Sequence, residues 1–356
     1  MGTETYDFLG LRGKKPMIKK NLSRIISGML SYSVALGAIL SEPRSLSAEP
    51  LRIAYTATSI IYGPLWVAQE AGIFKKYNVE VDKLLYIAGG PPSTQALIAG
   101  EVEIAFTAAG AVVSVNLSGS DVVLLGATMD RLPFEIWAAP TLKQPEQLKG
   151  TKMGVSRLGA TSDFAARYVL KKWGLKPGSD VIIFQSGGMP EVFMGLKSGA
   201  IQSGIIDAGP FTTQAKDGGF QRLADLSAMD LVYVFGPFAA RQSFLRSRGD
   251  LTSRFMKAYV EGIHRFKTDE KLALSAIEKY TKVKINPATE LHYQQYAHRY
   301  IKRIPEATPE GIQTILEEIA ESRPLPSGIT PERFVEPRFL KEIVQSGFVE
   351  SLYRSR

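Results

Sequence analysis

No cysteine occurs among the 356 residues, which rules out disulfide staples, thiolate metal sites and a lipid-bearing N-terminal cysteine. Histidine is almost as scarce. His264, His292 and His298 all fall in the C-terminal third, and the spacing of the last two sets them on different faces of a helix, so no metal site is expected. No glycine-rich loop ends in Gly-Lys-Ser/Thr, and no serine sits in a nucleophile elbow. Neither a catalytic constellation nor a bound cofactor is therefore expected. The longest apolar stretch, Ile25–Leu40, falls short of the ~20 residues that span a bilayer comfortably. The net charge is +8, but half of it belongs to residues 1–48, leaving a balance too mild to imply nucleic acid.

What is present begins with that N-terminal stretch. Lys14, Lys15, Lys19, Lys20 and Arg24 precede the apolar run, and Ser45, Leu46, Ser47 and Ala48 supply the small residues of a cleavage site. This is the order of a secretory signal, with cleavage expected near Ser47 or Ala48 and Met17 as a possible later start. An uncleaved anchor is the competing reading. Without a cysteine to lipidate, the exported chain is expected to be a free monomer of the periplasm.

The remaining length, with 45% hydrophobic residues, suits about two domains. An internal repeat supports that number. Gly89, Gly90 and Pro91, then Leu97, Gly100, Val102, Glu103, Ala105, Phe106, Ala109 and Gly110, run parallel to a second set. The second set is Gly187, Gly188 and Pro190, then Leu196, Gly199, Ile201, Gln202, Gly204, Ile205, Ala208 and Gly209. In each, a glycine pair opens a helix, a glycine closes it and a strand follows. The stretches 51–55 and 152–156 open the two copies as strands. The bland alternative is that any βαβ unit carries glycines at its strand ends.

Strands alternating with helices at these lengths predict an α/β fold with parallel sheets covered on both faces. Further strands are expected at Val122–Ala127, Phe134–Ala138, Gln221–Leu226 and Leu231–Phe235. The expected organisation is two doubly wound lobes joined by a two-segment hinge. Residues 1–48 form the signal, 49–137 plus 235–356 the first lobe with C-terminal helices packed on it, and 138–234 the second. Crossings are expected near Ile136–Ala139 and Tyr233–Phe235. On one face of the helical tail lie Phe255, Tyr259, Ile263 and Phe266.

Ligands of open α/β sheets sit beyond the carboxyl ends of the strands, where helix N-termini offer N–H groups and partial positive charge. The candidate binding residues in the first lobe are Thr58, Ser59, Tyr62, Gly89, Gly90, Ala109, Gly110 and Arg131. In the second they are Arg157, Thr161, Ser162, Gly187, Gly188 and Asp207. Glycine permits close backbone approach, and the hydroxyls add neutral donors and acceptors. The set suits a small anionic or polar organic ligand. Arg131 and Arg157 are the cationic candidates, each with a plain surface role as its alternative. Asp207 either meets a ligand ammonium group, orients Arg157 or simply caps a helix.

A wider pattern covers nearly all of residues 50–350: Gly63, Pro64, Leu65, Ala68, Gly72, Phe74 and Val79, then Gly89, Gly90, Gln95, Ala96, Leu97, Gly100, Glu103 and Ile104. It continues with Gln147, Leu148, Lys149, Gly150 and Val155. In these residues the chain resembles the nitrate, sulfonate and taurine type of ABC-importer substrate-binding proteins, with the type 2 periplasmic binding fold. The resemblance implies a small-molecule ligand held without covalent chemistry. It also implies delivery to a permease and ATPase complex in the inner membrane. Gln202 and Gly209 depart from the acidic residues common at their positions, so no particular ligand carries over. Same-fold enzymes of thiamine-precursor or dehydratase type, and modules feeding a sensory receptor, are the alternatives.

Overall fold

The computed structural model describes residues 50–354; the expected signal, the Met17 start and the Ser47/Ala48 cleavage point lie outside the described residues. The strands in chain order are β1 Leu51–Tyr55, β2 Val81–Tyr86, β3 Ile104–Phe106, β4 Val122–Met129 and β5 Phe134–Ala138. They continue with β6 Lys152–Val155, β7 Ile182–Gln185, β8 Ser203–Asp207, β9 Gln221–Asp225 and β10 Phe235–Arg241. Two five-stranded sheets result, ordered β2-β1-β3-β10-β4 and β7-β6-β8-β5-β9. In the first, β1 pairs in parallel with β2 and β3, and β10 runs antiparallel between β3 and β4. The second repeats this plan, with β6 parallel to β7 and β8 and with β5 antiparallel between β8 and β9. The expected two-lobed α/β architecture is the one found.

The repeat read in the sequence is thus a repeat of topology. Helices α1 Gly63–Glu70, α2 Gly90–Ala99 and α3 Ala109–Leu117 serve the first sheet. Helices α4 Thr161–Lys172, α5 Met189–Ser198 and α6 Pro210–Asp217 serve the second. The equivalent helices α2 and α5 both end on a left-handed glycine, Gly100 and Gly199, each at φ 77°. A side chain is strained in that conformation, which explains glycine at both stops.

Each sheet receives one strand from the segment that has just left the other. The change of sheet occurs at 130–133 and the return at 229–234. Phe134 already pairs with Asp207 in the second sheet, so the first crossing precedes the expected Ile136–Ala139. The expected strand Leu231–Phe235 is instead the return passage, and the strand begins only at Phe235. Its apolar residues Leu231, Tyr233 and Val234 are buried in the seam between lobes, which gave them a strand-like pattern. The two passages touch, since the Tyr233 N–H donates to the Asp130 carbonyl at 2.9 Å.

The C-terminal helices α7 Gly249–Thr268, α8 Glu270–Thr281, α9 Pro287–Gln295 and α10 Pro309–Ser322 follow. Phe255, Tyr259, Ile263 and Phe266 of α7 are fully buried with Trp66, Phe106 and Phe238 of the first lobe. Where α7 crosses α1 the backbones come close: a Cβ on Gly262 would lie 2.7 Å from the Pro64 carbonyl oxygen and 2.9 Å from Ala68 Cβ. Backbone cannot yield as a long side chain can. Gly262→Ala is expected to cost about 1–3 kcal/mol through overpacking, read as a lowered urea midpoint with an unchanged slope.

Candidate functional site

Six helical segments start at one cavity of about 240 Å³ between the lobes. The residues just before those starts are Ser59, Gly89 and Ala108 in the first lobe and Ala160, Gly188 and Gly209 in the second. All six line the cavity, and none caps its helix through a side chain. Outside these six the starts are mixed: those of Gln242–Ser247, α7 and Arg338–Gln345 also lack a side-chain cap. Asp269, Asn286 and Thr308 accept N–H groups at the starts of α8, α9 and α10. A helix start without a cap keeps unpaired donors and roughly half a positive charge, so the cavity wall is built to meet acceptor groups.

Neutral hydrogen bonds hold these corners in place. Thr94 and Thr107 both donate to the Gly90 carbonyl, at 3.0 and 2.8 Å, fixing the start of α2 against the end of β3. Gly90 is required there, because a Cβ would meet Ala108 Cβ at 2.3 Å. In the second lobe the Ser162 hydroxyl accepts the Ser156 N–H at 3.0 Å and sits 2.7 Å from the Ser156 hydroxyl, tying α4 to β6. Tyr62 is fixed by a 2.7 Å bond to Thr56, and its ring packs on Tyr55 and edge-on to Phe106.

Of the residues expected from the sequence, Thr58, Ser59, Tyr62, Gly89 and Gly90 line the cavity from one lobe. Thr161, Ser162, Gly187, Gly188 and Asp207 line it from the other. Ala109 and Gly110 do not. The wall is formed one residue earlier, by Thr107 and Ala108, because Ala109 already turns into α3, and Gly110 faces a separate groove. Arg131 is exposed elsewhere, with its guanidinium 3.5 Å from the Ser227 carbonyl. Arg157 stays beside the cavity without lining it. Its stem lies over Gly89, where a Cβ would come within 2.2 Å of Arg157 Cδ, and its Nε is buried with no partner.

Residues missed from the sequence include Tyr86, at the end of β2, and Glu191, in the first turn of α5. Phe134 and Phe235 also line the cavity where the two crossings begin their strands. Tyr86 and Glu191 both occupy the strand-end and helix-start positions where ligands bind, so position alone was the available signal.

Comparison with known proteins fits this geometry. The profile of the NMT1/THI5-like family matches residues 61–270. The chain belongs to the NMT1/THI5-like family. A Bacillus subtilis (strain 168) protein named as a binding protein, YtlA, is 26% identical over 243 residues, 65% of this chain and 69% of its own. The alkanesulfonate-binding protein SsuA of Xanthomonas axonopodis pv. citri, solved with MOPS, superposes with a TM-score of 0.66 at 15% identity. That match covers 81% of this chain and 98% of the other. The periplasmic nitrate-binding protein NrtA of Synechocystis PCC 6803 gives 0.67 at 14% identity, over 83% and 88%. At such identities the two structures establish the fold.

Within this NMT1/THI5-like chain, the electrostatics of the cavity turn on Asp207. Its Oδ2 accepts the Ser59 hydroxyl at 2.7 Å, a contact between loops of opposite lobes. Ser59 precedes a helical turn and is a residue type that usually caps, yet here it faces across the cleft. Burial pushes the Asp207 carboxyl up to about 6, with the Ser59 bond pulling the other way. Tyr62 is pushed up to about 12 by burial, with Asp207 adding a smaller push. Tyr86 is raised by its own burial and by Glu191, and lowered by Arg157.

The sign for stability follows from a folded-state value of about 6 and an ordinary value of 3.8. The folded chain takes up this proton first as pH falls, so the penalty on the ionised form is present above pH 6 and gone by about pH 4. Asp207→Asn retains an acceptor for Ser59 and removes the charge. The variant is expected to be more stable than the parent at pH 7.5, by up to about 3 kcal/mol, with the difference closing between pH 6 and 4. Paired urea melts across that range measure it; a constant offset would contradict the assignment.

Proposed function

We propose that this chain is the exported solute-binding component of an ABC importer, holding a small polar organic ligand between its lobes for delivery to a membrane permease. The observation that carries the reading is the convergence of five uncapped helix starts and one uncapped helical turn, three from each lobe, on one cavity between them. Backbone N–H groups there suit an acceptor or anionic end of the ligand, as the sequence led one to expect. The similarity to importer binding proteins for sulfonate and nitrate supports the transport role and periplasmic location. It supplies no ligand identity.

Closure follows from the same arrangement. A ligand touching both sets of helix starts binds the closed form better than the open one, and the passages at 130–133 and 229–234 provide the hinge. Scattering from the full chain, with and without the molecule it releases on denaturation, should show a smaller radius when loaded. An unchanged radius would remove the clamp. The released molecule should also be recovered intact after prolonged incubation, whereas an enzyme would convert it.

Gly89 offers a sharper check, because its Cα lies against the Arg157 stem of the other lobe. Gly89→Ala puts a methyl group into that approach. Gly89 also holds φ 88°, which strains alanine whether or not the lobes meet, so the variant is expected to lose some stability as well as to bind about five- to tenfold more weakly. Calorimetry with the released ligand gives the readout.

A further inference from the structure

Asp207 is a half-buried carboxylate that lines the cavity between the lobes, and among the described residues no lysine, arginine or histidine is paired with it. Its one side-chain partner is the neutral Ser59 hydroxyl. The other groups that face it are tyrosines. Tyr62 comes from the loop after β1, and Tyr296 from the helical turn after α9; burial holds both phenols in the neutral form. Neither supplies positive charge. Arg157, a cationic candidate from the sequence, lies over Gly89, and its Nε is buried without a partner.

An ionised carboxylate enclosed without a counter-ion is costly, and proteins retain one where something else brings the charge. Asp207 lines the cavity, so the ligand is positioned to bring it. Two further features point the same way. Glu191 adds a second carboxylate on the same lobe at the rim, and the Tyr86 ring, 52% exposed, presents an aromatic face from the opposite lobe. Aromatic faces attract cations as carboxylates do.

We propose that Asp207 is the specificity-determining residue of the cavity and selects ligands that carry a protonated nitrogen, an amine or amidine, opposite the acceptor end held by the helix starts. This rests on the solute-binding reading above and narrows its ligand class to molecules with two poles. Because Ser59 and Asp207 come from different lobes, a nitrogen at Asp207 lies at the point where the lobes meet. Recognition of charge and closure are then one event.

The test uses the full chain and two compounds of matched shape, 4-(aminomethyl)benzoate and 4-ethylbenzoate, which differ in the charged nitrogen. By calorimetry at pH 7.5 the parent should favour the amine by about 10- to 100-fold, as expected for a hydrogen bond to a charged group. Asp207→Asn, shown by circular dichroism to keep its fold, should lose that preference. In the parent the preference should also fade as pH drops below about 6 and Asp207 takes up its proton. Equal binding of the two compounds by the parent, including no binding of either at millimolar concentration, overturns the proposal. So does an amine preference that survives in Asp207→Asn. Scattering separates the two levels of argument: a contraction with 4-ethylbenzoate alone removes the amine and keeps the clamp, whereas an unchanged radius on loading removes the clamp itself.

Discussion

The exchange of two strands between the lobes is the constraint on which the rest of this molecule depends. β5 leaves the first lobe and is bonded along both edges within the second sheet, and β10 makes the reverse journey. Each crossing is therefore anchored at both ends by ladders of backbone hydrogen bonds. What freedom remains lies in two short passages that run side by side and share a bond between Tyr233 and Asp130. Such a pair can twist as a unit, whereas a single strand would swivel. The exchange also makes the two sheets equivalent, so that the helix-start ends of both lobes face one cavity.

Local stability is given up where the lobes face each other. A side-chain cap is worth about 1 kcal/mol, and Asp269, Asn286 and Thr308 supply one to α8, α9 and α10. The six starts at the cavity have glycine, alanine or a serine engaged elsewhere. Small residues leave the N–H groups reachable, and the hydroxyls of Thr94, Thr107 and Ser156 hold the backbone still. Rigidity comes from these hydroxyls and donor capacity from the backbone.

The parts of this design that depend on backbone were legible in the sequence. Glycine pairs at 89–90 and 187–188 and the stops at Gly100 and Gly199 mark positions where a side chain is strained or collides, and so they declare the repeat and one corner of the cavity in each lobe. Long side chains were not legible. Arg131 and Arg157 sit at plausible strand ends, yet the direction of a flexible stem is set by neighbours far away in sequence. The Ser59–Asp207 contact joins residues 148 positions apart and needs the folded lobes to exist. Leu231–Val234 misled for a related reason: a crossing buried in an apolar seam shows the same residue types as a strand.

Asp207 links these themes in energetic terms. Moving a clamp from 1:99 open-biased to 99:1 closed takes about 5.5 kcal/mol of preference by the ligand. Ser59 and Asp207 meet across the cleft, and burial there pushes the Asp207 carboxyl up to about 6, against its charged form. At neutral pH that cost opposes closure without a counter-charge. A ligand bearing a protonated nitrogen removes the cost and adds a charge-assisted bond, so one residue acts on both sides of the equilibrium. An acceptor end alone would have to overcome the same penalty using helix ends worth about 0.3 to 2 kcal/mol each. The clamp can thus reject a partial match by leaving one buried charge unanswered.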